Sequence, residues 1–174
     1  MAGRMANRLF ESVMARSQSE IVELTYEYIV PDCNQLIQQT GECIFSPVFH
    51  AKSQPTIQWR LRIYPKGSKN SKGHLGLFLE RVNMTEKDQP VIVKLKFTIL
   101  RNDKPVSFIW SVSHSIASQH EGLGWNDLVS QEQLRSDTSN KQKIELKVVC
   151  HLVCEVQRNW ITSYARLDTC YLTL

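Results

Sequence analysis

No apolar run in this chain of 174 residues approaches the ~20 residues that a bilayer-crossing helix takes, so the chain is expected to be soluble, with no membrane partner. The short motifs of many enzymes are missing as well. There is no Gly-x-Ser-x-Gly elbow, no phosphate-binding glycine loop and no His-Glu-x-x-His helix, which argues against an enzyme. No signal peptide is recognisable, and the cysteines number 5. That odd count fits free thiols in a reducing compartment, the nucleus or the cytoplasm. The sequon Asn83 to Thr85 is then fortuitous, because glycosylation needs the secretory route. Strong charge is lacking too: 21 Lys and Arg stand against 17 acids, a net charge of +4. Spread along the chain, with a pI near 8.8, this balance serves solubility and falls short of a nucleic-acid footprint. Internal repeats and a βαβ rhythm are absent.

What the chain does have is a period of two. Trp59, Leu61 and Ile63 share one face of a strand and Arg60, Arg62 and Tyr64 the other, until Pro65 and Gly67 end it. After a basic loop, Leu75, Leu77 and Leu79 face one way and His74, Gly76 and Phe78 the other. Upstream, Leu24, Tyr26, Tyr28 and Val30 alternate before Pro31, and Ile44 to Phe49 reads as an edge or broken strand because Pro47 cannot donate to a ladder. Downstream, Val91, Val93, Leu95, Phe97 and Ile99 alternate with polar residues. The turn Asn102 to Pro105 then leads to a strand in which Val106, Phe108, Trp110, Val112, His114 and Ile116 oppose serines. Residues 117–143 lose the alternation, with Glu121 to Trp125 as a loop and a helical turn between Asn126 and Leu134. Ile144, Leu146, Val148, Cys150, Leu152, Cys154 and Val156 then form the most regular strand of all. These features predict an all-β protein, an antiparallel β-sandwich of about eight strands.

The termini differ from this pattern. Leu9, Phe10, Val13 and Met14 sit at helical spacing among arginines, which predicts a short N-terminal helix over residues 1–20. The arginine-bearing start also resembles a mitochondrial transit peptide, against which Glu11 and Glu20 stand. The expected organisation is an extension over 1–20, a domain over 21–157 and a tail over 158–174 that either adds a strand or lies on the surface.

Reactive residue types concentrate at Cys150, His151 and Cys154. On a strand Cys150 and His151 point to opposite faces, and the two cysteines lie ~13 Å apart at ~3.3 Å per residue, too far for a disulfide or shared zinc. Buried structural thiols are the expectation, with no metal and no cofactor. Lys66, Lys69 and Lys72 make a cationic loop suited to phosphate, but without interleaved aromatics it reads as a solvated hairpin tip. The rings are harder to dismiss. Phe78 lies on the non-core face of its strand beside a glycine, and Trp125 stands in a Gly-containing segment, so the two could converge on one groove.

The ordered series Tyr26-x-Tyr28-Ile29, Gly41-x-x-Ile44-x-Ser46-Pro47-x-Phe49, Trp59-x-Leu61-x-Ile63-Tyr64-Pro65-x-Gly67, Leu75-x-Leu77-Phe78-Leu79, Leu95 to Leu100, Gly124-Trp125 and Leu146 to Cys150 resembles the MATH (meprin and TRAF homology) domain. The likeness covers residues 24–156 and is greatest to substrate-binding domains of the speckle-type POZ kind. It implies a shallow groove for extended Ser/Thr-rich peptides of substrates that a cullin ubiquitin ligase marks for proteasomal degradation. By position, Phe78 and Leu95 match groove aromatics, Ser115 falls at a groove tyrosine, and Leu123, Gly124 and Trp125 match a Trp-Gly-Phe turn. Three of those aromatics are therefore replaced here, by Leu95, Ser115 and Leu123. In that family a BTB (POZ) domain contacts the cullin, and the expectation is that this chain carries none. The alternative expectation is a TRAF-like signalling adaptor, which would need a coiled coil that residues 1–20 do not sustain.

Overall fold

Alternation becomes structure wherever the inward set has a partner sheet to cover it. The computed structural model describes residues 6–30, 39–85, 88–111, 113–118, 121–135 and 145–170. In chain order, β1 is Ala6–Val30, β2 Ile44–Phe45, β3 Phe49–Ala51, β4 Gln54–Tyr64 and β5 His74–Val82. They are followed by β6 Val91–Arg101, β7 Lys104–Trp110, β8 His114–Ile116, β9 Gly122–Ser130, the helix α1 Gln131–Arg135 and β10 Leu146–Cys170. One five-stranded sheet runs β1-β10-β6-β7 with β8 also on β6, and the other runs β2-β4-β5-β9 with β3 also on β4. Every ladder whose register is described is antiparallel. The chain divides into two compact units, Ile21–Val156 and a second made of Met1–Glu20 and Gln157–Leu174.

The core of the larger unit is the set of inward positions. Trp59, Leu61 and Ile63 of β4, Leu75, Leu77 and Leu79 of β5, Val93, Leu95, Phe97 and Ile99 of β6 and Leu146, Val148, Cys150 and Leu152 of β10 are all buried. Each such aliphatic side chain contributes about 1.5 to 3 kcal/mol by leaving water. The β6–β7 hairpin closes through Asn102 and Asp103, whose φ values of 47° and 60° are those of a two-residue turn that matches the twist of the strands. Gly67 ends the β4 turn at φ 89°, where a Cβ would come within 1.9 Å of the Ser71 carbonyl oxygen.

Among the described residues, ten strands reduce to the expected eight when two interruptions are discounted, β2/β3 and β7/β8. A serine mends each break. Ser46 donates its N–H to the Leu61 carbonyl at 2.9 Å while its Oγ accepts the Leu61 N–H, also at 2.9 Å, just before Pro47 removes a donor. Ser111 does the same against Leu95, at 2.7 Å and 2.8 Å. A side-chain oxygen thus stands in for the strand carbonyl that the bend withdraws.

Three expectations are corrected. The N-terminal helix is not formed: from Ala6 the chain is strand, and β1 has β10 as its neighbour, so a long-range ladder overrides the helical spacing. The tail, left open between a strand and a surface segment, continues β10 to Cys170. The aromatic face of β7 does not share the core: Phe108 and Trp110 are 70% and 61% exposed, and Ser107 instead turns toward β9, donating to the Leu128 carbonyl. A register shift between Ile99 and Leu100 opposite β7 reassigns its faces. The helical turn expected between 126 and 134 forms only in α1, from Gln131, whereas β9 is strand over Gly122–Ser130, where a loop was expected to Trp125 and the turn beyond it. Val112 and Ile144 lie outside the described residues.

Candidate functional site

The outward residues of β4 and β5 form a ladder of charge and rings. Register sets Arg60 opposite Glu80, Arg62 opposite Phe78 and Tyr64 opposite Gly76. Glu80 is 1% exposed, an environment in which a carboxylate persists only when paired. Arg60 Nε donates to its Oε2 at 2.9 Å, and Arg62 Nη1 approaches Oε1 at 2.8 Å. The Arg62 contact is a charge contact more than an aligned hydrogen bond, since Glu80 Oε1 has no hydrogen-bond partner. Each guanidinium also lies over rings, Arg60 4.1 Å from the Phe45 centroid and Arg62 5.2 Å from Phe78 and 5.6 Å from Tyr64. Phe78 and Tyr64 meet edge to face at 6.0 Å and 88°, the arrangement that ring quadrupoles favour.

Glycines on β9 keep this face open. Gly122 pairs with Glu80 and Gly124 with Phe78. A Cβ at Gly122 would come 3.3 Å from Arg62 Nη2, and one at Gly124 would lie 2.1 Å from the Leu77 carbonyl oxygen, so neither position admits a side chain without displacement. Beside this ladder is a cleft of about 340 Å³ with Arg62, Tyr64 and Phe78 from the sheet, Ser68, Lys69 and Asn70 from the β4–β5 loop, and Gly41 and Asn126 completing its lining. Burial raises the Tyr64 phenol above its usual range, with Arg62 opposing, so the hydroxyl stays protonated at neutral pH. Two polar atoms of lining residues, Arg62 Nε and Ser68 Oγ, are buried without a hydrogen-bond partner.

The residues expected to form one groove separate. Phe78 is half-buried and lines the cleft, and Gly124 lies across from it. Leu123 and Trp125 oppose Leu79 and Leu77, which puts them on the inner face of the same sheet, where both pack against the core. Trp125 meets Phe97 edge to face at 6.1 Å. Ser115 is exposed on β8 in the other sheet, opposite Ile92. The expectation for Leu95 is corrected: at 1% exposure it is a core residue, because β6 points it inward with Val93 and Phe97. Sequence reasoning left Arg62, Tyr64 and the loop residues out of the site, although the alternation had already grouped Arg62 and Tyr64 on the outward face. The contribution of Ser68, Lys69 and Asn70 depends on how the loop folds back.

Cys150 and Cys154 sit inward on β10, 0% and 3% exposed. Burial pushes both thiols up, Cys154 to about 12, which leaves them protonated and poor nucleophiles or metal ligands. Among the described residues no group of three or more His, Cys, Asp or Glu could hold a metal ion, and no helix is long and apolar enough to cross a membrane.

The sequence profile of the MATH domain matches residues 25–144. Among proteins of Mus musculus, TD and POZ domain-containing protein 1-like is 31% identical over 87 residues, covering 49% of this chain and 23% of that protein. TD and POZ domain-containing protein 1 aligns with the same identity and coverage, and TD and POZ domain-containing protein 3 is 26% identical over 87 residues. The match thus spans less than a quarter of the length of these relatives, at 23%.

Proposed function

The chain belongs to the MATH domain family, and we propose from that premise that it is a non-catalytic recognition module which binds an extended Ser/Thr-rich segment of a protein substrate. The single observation that carries this reading is the outward Phe78, edge-on to Tyr64 beneath Arg62 in a cleft of about 340 Å³. A half-buried aromatic beside open space is the kind of anchor around which binding energy concentrates. The setting in this reading is an adaptor of a cullin-type ubiquitin ligase in the nucleus or cytoplasm, whose bound substrates go to proteasomal degradation. The relatives' names join a TD and a POZ domain, which supports that setting. Contact with the cullin would run through a BTB (POZ) domain and not through the residues described here. Gly124, opposite Phe78, lets β9 lie close against β5, since a Cβ there would stand 2.1 Å from the Leu77 carbonyl oxygen, while Leu123 and Trp125 pack on the inner side.

The test is Phe78→Ala, read by calorimetric titration against Ser/Thr-rich peptides and by thermal melting. Affinity should fall by about 1 to 3 kcal/mol, the loss expected for an aromatic anchor. Stability should fall by only about 1 to 2 kcal/mol, the worth of one edge-to-face pair and one exposed cation–π contact. Unchanged affinity in a folded variant would remove the cleft from the binding surface.

A further inference from the structure

The cleft carries a charge signature that a neutral Ser/Thr-rich segment does not use. Among the described residues its charged lining is Arg62 and Lys69, with no carboxylate. Glu80 lies beneath, 1% exposed, and one carboxylate between two guanidiniums leaves a surplus of one positive charge before Lys69 is counted. Glu42 and Asp127 follow the lining residues Gly41 and Asn126 in sequence but do not line the cleft. Arg62 commits Nη1 to Glu80, while its Nε–H is buried without a partner. Ser68 Oγ, also in the lining, is likewise buried and unpartnered. Buried donors left in this state are costly, and an incoming oxygen anion would satisfy both. The guanidinium lies 5.2 Å from the Phe78 centroid and 5.6 Å from that of Tyr64, and the missing Cβ of Gly122 leaves room for its Nη2. The aliphatic stem of Lys69 passes over Gly41, where a Cβ would lie 3.1 Å from its Cγ.

Resting on the peptide-binding reading above, we propose that this cleft recognises an anionic side chain of the bound segment, a carboxylate or a phosphate monoester received by Arg62, Ser68 and Lys69. A planar guanidinium with a free N–H suits a planar or tetrahedral oxyanion better than a hydroxyl. Phe78 then anchors the neighbouring part of the same peptide.

The experiment uses arrayed Ser/Thr-rich decapeptides in which one position is presented as Ser, phosphoserine or Asp, with affinities of the best trio measured by titration. The anionic forms should bind about tenfold tighter than the Ser form at low salt, with an advantage that shrinks at high ionic strength. A gain for phosphoserine alone assigns a phosphate monoester, and a gain for both assigns any oxyanion. Lys69→Glu, on the exposed loop, should bring the ratio of anionic to neutral affinity to about one without moving the melting temperature, and Lys69→Arg should restore it. Arg62→Gln should also abolish the ratio, with melts to show that the variant is folded. Equal binding of all three forms, or a ratio untouched by Lys69→Glu, overturns the inference while Phe78→Ala still tests peptide binding itself. Binding of none of the three forms by folded protein overturns both.

Discussion

Replacing Glu80 by Gln keeps the size of the side chain and removes the carboxylate that separates Arg60 from Arg62. In the wild-type protein that carboxylate is 1% exposed and receives Arg60 at 2.9 Å and Arg62 at 2.8 Å, while each guanidinium keeps 27% of its side-chain surface in water. Breaking a fully buried pair costs about 3 to 5 kcal/mol because a charge is left uncompensated. Solvent around the two arginines screens part of that, so about 2 to 3 kcal/mol is expected here. For a chain of this size each kcal/mol moves the melting temperature by about 2 to 4 °C, giving a drop of about 4 to 12 °C. Thermal melts and urea titrations on the same samples measure it. Adding Arg60→Gln to the Glu80→Gln variant should recover part of the loss, since Arg62 then has no second guanidinium beside it on the outward face of β4. A Glu80→Gln protein that melts within about 1 °C of wild type would show that water, not this carboxylate, carries the charge of the two arginines, and would refute the ladder as the support of the cleft.

Leu77→Ala, at a site with no exposed surface, should cost about 2 to 5 kcal/mol in urea titrations. Trp125→Ala, half-buried against Phe97, should also lower stability, by about 2 to 4 kcal/mol, with peptide affinity of the folded fraction little changed. Cys150 and Cys154 should react with a maleimide only as fast as the native state opens, while half-buried Cys43 reacts sooner; mass spectrometry of timed samples reads the order, and early labelling of Cys150 would contradict its burial. The Glu121 carboxyl is held below its usual range by the Ala117 N–H first, then by Ser118 and His114. Because its folded pKa is depressed, the stability it contributes is complete above the unfolded value of 4.5 and is lost as pH falls through the folded value. Glu121→Gln should therefore flatten the acid limb of the stability profile in that window, and an unchanged limb would refute the assignment.

Some errors of the sequence reading came from signals that were present and outweighed. The alternation of β6 already grouped Leu95 with Val93 and Phe97, and only the family resemblance moved it to a groove; the core position prevailed. Other features had no local signal. Whether Phe108 and Trp110 face in or out depends on where β7 pairs with β6, and a shift of register there exchanges its faces. Leu123 and Trp125 flank a glycine in a stretch without alternation, so their inward direction comes from pairing with β5. The helical spacing near residues 9 to 14 yielded to a strand whose neighbour, β10, lies at the other end of the chain.

The strands and the inward face of most of them are legible in the residues alone, because a period of two is a property of consecutive residues and burial of the apolar set is the largest favourable term. Trp59, Leu61, Ile63, Leu75, Leu77, Leu79, Cys150 and Cys154 were legible on that basis, and all are buried. The cleft arises from packing between segments. Arg62 meets Phe78 across one ladder, Glu80 is buried between two arginines, Gly122 leaves space for a guanidinium, and Lys69 reaches over Gly41 from a loop. Each of these depends on register or on a loop's return path. They are set by contacts between residues distant in the chain, which no periodicity within one segment encodes.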